Sequence, residues 1–159
     1  MNTALPQPSP SLKQCSRDLA QHGYCLFCNA LAHDQLKVLR KRLTEQALAE
    51  KQKGLAFQDG GHTQNWGDFR DSRGALRAQE FTEAQGGRNQ RVWMLVNKGA
   101  VFRDLLGHRS VRELVTGILG DHYLLSSHTA NIANPGGVAM RLHTDQWWMP
   151  PPTRIGRAG

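Results

Sequence analysis

Apolar residues recur at helical spacing in several stretches of the chain. Over about residues 11–21, Leu12, Cys15 and Leu19 fall on one face, with Ser11 placed to cap the helix and Gly23 to end it. A longer helix is predicted over about 33–53. Leu36, Leu39, Leu43 and Ala47 form its stripe and Gly54 is its natural stop. A short helix at about 101–106 precedes a more regular one, in which Val111, Leu114, Val115, Ile118 and Leu119 form a stripe expected to be buried. Ser110-Val111-Arg112-Glu113 reads as its capping box and Gly120 closes it.

Shorter apolar runs predict strands at 24–29, 92–96, 123–131 and 138–143, the last two joined by an Asn134-Pro135-Gly136-Gly137 turn. Between 55 and 89 both periodicities fail. Gly60-Gly61 and Gly86-Gly87 bracket polar residues with scattered aromatics, which reads as one long loop, either a lid or binding loop or an ordinary insertion. Pro6, Pro8 and Pro10 make residues 1–10 a disordered lead-in. Residues 11–159 then form part of a single domain, with an α+β fold class.

Composition narrows the function classes. The 159 residues include 39% apolar residues, which suits a globular domain. No apolar run is long enough to span a membrane, and the N-terminus has neither the basic nor the apolar region of a secretory signal. A cytoplasmic location is therefore expected, with no membrane partner. Lys and Arg outnumber Asp and Glu by 20 to 13, a formal net charge of +7. The densest basic run, 37–42, lies on a helix and no aromatics interleave with it, so no nucleic-acid groove is expected. Cys25 and Cys28 form a CxxC. On a strand their sulfurs would point to opposite faces, so neither zinc nor a redox pair is expected.

The chemistry concentrates in Arg141-Leu142-His143-Thr144-Asp145-Gln146-Trp147-Trp148. His143 and Asp145, two apart on a continuing strand, would point to one face and could occupy neighbouring positions on one metal ion. Mixed imidazole and carboxylate donors suit Fe(II), and two His plus one carboxylate form the facial triad of non-haem oxygenases. An isolated HxD pair is common by chance; its setting, after a strand, a Pro-Gly-Gly turn and a second strand, gives it weight.

Residues 91–152 resemble the phytanoyl-CoA dioxygenase family. The resemblance rests on Trp93 before Lys98-Gly99, the capped helix ending in Leu119-Gly120, His128 and Asn131 on a polar strand, Pro135-Gly136-Gly137, and His143-Thr144-Asp145-Gln146-Trp147. His22-Gly23-Tyr24 matches the family's opening as well. It implies N-terminal helices followed by part of a double-stranded β-helix, a jelly-roll or cupin-like barrel. It also implies Fe(II), 2-oxoglutarate as co-substrate, dioxygen, and hydroxylation of a small-molecule or lipid-type substrate. His143 and Asp145 match metal ligands. Asn131 is a candidate contact to 2-oxoglutarate or a structural hydrogen bond in the sheet. Trp147 is a pocket wall or a core residue.

The family also needs a second His and then a basic residue to anchor 2-oxoglutarate, and no His follows His143. A jelly roll has about eight strands, twice the number that the pattern offers here. The expectation is an incomplete barrel, inactive as this chain alone. His128, on the preceding strand, is a poor substitute ligand because it would leave the facial geometry unmet. The alternative reading is a non-catalytic binding or interaction domain built on the same fold. The oligomeric state and the substrate are not legible.

Overall fold

The computed structural model describes residues 4–61 and 86–139. They form four α-helices and a small three-stranded sheet, an α+β arrangement. Among these residues no helix is long and apolar enough to cross a membrane. They fall into two compact units. One joins the residues up to Leu55 to Val92–Ala130, and the other joins Ala56–Arg91 to the residues from Asn131 onward.

The first unit is helical. Helix α1, Leu12–His22, starts as its sequence dictates: Ser11 Oγ accepts from Gln14 N at 3.3 Å. It ends at Gly23, whose φ of 79° suits glycine and whose N–H donates to Leu19 O. Helix α2, His33–Gln52, buries Leu39, Ala47 and Glu50. A polar line runs down it at i, i+4 spacing. Arg42 Nη2 donates to Gln46 Oε1 at 2.7 Å, Gln46 Nε2 donates to Glu50 Oε1 at 2.9 Å, and Glu50 pairs with Lys98. Helix α3, Ala100–Leu106, packs on α2 and buries Phe102; helix α4, Arg109–Leu119, packs on α1.

Four expectations change here. The run 24–29 is not a strand. It makes one parallel bridge, Phe27 to Ser9, and Asn29 turns the chain at φ 54°. Ser9 N donates to Leu26 O and Cys28 N donates to Ser9 O, so the proline-rich start lies along this segment. The apolar run 92–96 does not continue as a strand, because Met94 adopts φ 53° and Leu95–Asn97 forms a 3₁₀ turn. There Leu95 N donates to His128 O at 2.9 Å. Helix α4 is capped by His108 and not by Ser110. The His108 Nδ1 accepts from Val111 N while Nε2 lies against Ala30 O, which fixes the proton on Nε2. Finally, the stripe of α4 is not buried among the described residues: Leu114 and Val115 are half-covered, and Val111, Ile118 and Leu119 are exposed.

The sheet orders β1 (Phe57–Asp59), β2 (Asn89–Val92) and β3 (Ala130–Ile132) side by side. Strands β1 and β2 are antiparallel, pairing Phe57 with Arg91, Gln58 with Gln90 and Asp59 with Asn89. The stretch expected as a loop therefore begins and ends in strands, and residues 62–85 lie outside the described residues. Of the strand expected over 123–131, only the end is realised, in β3; Leu124 is 91% exposed.

Candidate functional site

Directly opposed residues of an antiparallel pair share a face. Phe57, Asp59, Asn89 and Arg91 therefore line one face of the second unit, and Gln58 and Gln90 the other. Asp59 is 1% exposed, and its Oδ2 accepts from Arg91 Nε at 2.6 Å. The other carboxylate oxygen, Oδ1, is buried and has no hydrogen-bond partner among the described residues. Such an oxygen calls for a donor that the described side chains do not supply.

Beside this pair lies the approach to the HxD motif. The Asn134–Gly137 turn forms as its composition predicts, with Gly137 N donating to Asn134 O at 3.1 Å and Gly136 at φ 81°. The turn is tied to β2 from two sides. Asn134 N donates to Asn89 Oδ1 at 3.2 Å, and Asn134 Nδ2 donates to Arg88 O at 2.8 Å. On leaving the turn, Val138 N donates to Gly60 O at 2.8 Å, so the chain runs out beside the end of β1.

The predicted site residues divide by position. Asn131 sits in the middle of β3 with its side chain exposed, between half-buried Ala130 and Ile132. His143, Asp145 and Trp147 lie outside the described residues. His128 belongs to the first unit. Its ring stands edge-on to buried Phe102 at 6.5 Å, with Nδ1 buried and without a hydrogen-bond partner among the described residues.

The cysteines also differ from expectation in their setting, since the strand that separated Cys25 from Cys28 is absent. Cys15 is fully buried, with Sγ 3.8 Å from the same Ser9 O that accepts from Cys28 N. Burial pushes its thiol pKa up, reinforced by a hydrogen bond with Cys25. Among the described residues, no three His, Cys, Asp or Glu side chains are placed to hold a metal ion.

Sequence reasoning missed Asp59, Asn89 and Arg91 as a group. The glycines around them were legible as turn residues, but nothing in a single sequence pairs residues thirty positions apart across an unrecognised strand.

An α+β chain whose sheet leads through a Pro-Gly-Gly turn toward an HxD motif is similar, over part of its length, to a dioxygenase. It is 43% identical over 58 residues to a protein named Dioxygenase af480 from Aspergillus fumigatus. The matched stretch is 36% of this chain and 19% of that protein, so the match spans about a fifth of the relative's length. No family model matches the chain, and no solved structure does.

Proposed function

We propose that this chain is part of a non-haem Fe(II), 2-oxoglutarate-dependent dioxygenase of the phytanoyl-CoA dioxygenase family, hydroxylating a small-molecule or lipid-type substrate. One observation carries the reading: the His143-Thr144-Asp145 motif, reached through a Pro-Gly-Gly turn, stands in a chain similar to a protein named as a dioxygenase. The donor set fits the metal, since neutral imidazole with a carboxylate leaves open positions on a divalent iron, as oxygen chemistry requires. When bound, Fe(II) with 2-oxoglutarate supplies the electrons that activate dioxygen.

The chain's own residues hold and orient. His143 presents a neutral imidazole and Asp145 a carboxylate, and both must be deprotonated to bind. Asn131, exposed on β3, offers an amide that can donate to a carboxylate of the co-substrate. In this reading Trp147 would serve as a pocket wall or as a core residue. The family pattern also has a second His as third ligand and a basic anchor for 2-oxoglutarate.

The test is anaerobic dialysis of the protein, at its natural length, against Fe(II). About one iron per chain is expected, with retention lost in His143→Ala and in Asp145→Ala. Undiminished iron in both variants contradicts the assignment.

A further inference from the structure

We infer that Asn89 is a positioning residue: its carboxamide, lodged between Gly60 and Gly137 and bonded to the Asn134 amide, fixes the register in which the chain enters the segment bearing His143 and Asp145. The functional meaning of that register rests on the metal-site reading above; the clamp itself rests on the described residues alone.

Three observations converge on this side chain. First, it replaces a backbone partner. Asn89 Oδ1 accepts from Asn134 N at 3.2 Å, and Asn134 returns the contact through Nδ2 to Arg88 O at 2.8 Å. The turn is thus bonded to Asn89, the first residue of β2, and to Arg88 just before it.

Second, two glycines make room for it. A β-carbon on Gly137 would fall 2.8 Å from Asn89 Cγ, inside van der Waals contact. Gly137 does not have the left-handed φ that would by itself demand glycine, unlike Gly136 at φ 81°. The space for Asn89 is therefore the structural reason for the second glycine of the Pro135-Gly136-Gly137 turn. Gly60 forms the other wall. A β-carbon there would lie 3.1 Å from Asn89 Cγ, and its φ of 74° excludes most side chains in any case.

Third, the wall is also the acceptor. Gly60 O receives Val138 N at 2.8 Å, so the residue leaving the turn is aligned by the same glycine that Asn89 packs against. Asn89 thus gathers the end of β1, the start of β2 and both ends of the turn around one carboxamide. An aliphatic side chain of the same size could fill the slot but could not accept from Asn134 N.

Register matters here because the sequence pattern predicts a strand over 138–143, and side chains alternate along a strand. On that expected strand a slip of one residue at Val138 would exchange the faces of the residues that follow. Hydrogen bonds of the backbone alone permit such a slip; a side chain seated between two glycines does not.

The experiment uses the protein at its natural length and two readouts. Amide hydrogen exchange at Asn134 and Val138 reads the clamp. Co(II) titration, followed by its visible absorption, reads the site without turnover. In Asn89→Ala and in Gly137→Ala, exchange at both amides should accelerate at least tenfold while amides of helix α2 stay unchanged, and Co(II) affinity should fall at least tenfold. Asn89→Asp keeps the acceptor and should restore protection at Asn134 and most of the Co(II) affinity. Unchanged exchange at Asn134 and Val138 in Asn89→Ala overturns the clamp. Accelerated exchange with unchanged Co(II) affinity overturns its role in positioning the site. If His143→Ala binds Co(II) as well as the unaltered protein does, the metal reading fails, while the exchange data still decide the clamp.

Discussion

At the scale of residues, the second unit is organised by polar contacts. The Asp59–Arg91 pair is almost out of water, with side-chain exposures of 1% and 14%. Removing one partner of a buried pair strands the other charge. Arg91→Ala should therefore destabilise the protein by about 3 kcal/mol. Urea unfolding checks this, with Asp59→Asn combined with Arg91→Ala recovering part of the loss. A second expectation concerns thiols. Burial raises the Cys15 pKa above its usual value, so near pH 8 less of it is thiolate than of a free cysteine. Iodoacetamide should label Cys25 and Cys28 first and Cys15 last, read by mass spectrometry. Equal rates at all three would mean that Cys15 is not enclosed. The Cys15 environment was not legible in the sequence, because it depends on Ser9 lying beside Leu26 and Cys28, a contact between two segments with no shared pattern. Ser11 as a cap and Gly23 as a terminator were legible, because caps are decided by residues a few positions away.

At the scale of elements, the helices were readable and the strands were not. Spacing placed α1, α2 and α3 within a residue or two of their observed ends, since a helix satisfies its own backbone. A strand needs a partner, and the partner of Phe57–Asp59 is Asn89–Arg91 across an interval with no periodicity. Met94 shows the other limit: an apolar run breaks where one residue takes φ 53°, which composition does not announce. Helix α4 carries two predictions. His108→Ala removes the acceptor for Val111 N and the tie to Ala30, and should cost about 1 kcal/mol by thermal unfolding. Ile118, 60% exposed in this chain, should tolerate Ser within about 0.5 kcal/mol, whereas Phe102→Ala should cost about 3–5 kcal/mol. A large loss for Ile118→Ser would show that the stripe of α4 is covered after all.

At the scale of the whole molecule, the sequence and the structure meet at the Asn134–Gly137 turn. Its composition announced it, and the structure adds the glycine-walled slot that ties it to β1 and β2. The α+β class matches the expectation, although β1 lies in the stretch expected as a loop and the apolar run 24–29 forms no strand. The barrel implied by the family resemblance reaches beyond the three strands described. The HxD motif was legible because both residues lie within one tripeptide. In the family pattern the third ligand of a facial triad comes from a distant position, which no local pattern joins to the motif. In the function proposed above, the turn delivers His143 and Asp145 to an iron that consumes 2-oxoglutarate. The most direct test of that function is release of labelled carbon dioxide from 2-oxoglutarate by the protein at its natural length, under air with Fe(II) and ascorbate. Release should require Fe(II), match succinate formed, and fall to the no-enzyme blank in His143→Ala and Asp145→Ala. Release that persists in both variants, or none from the unaltered protein with iron bound, would contradict the proposed function.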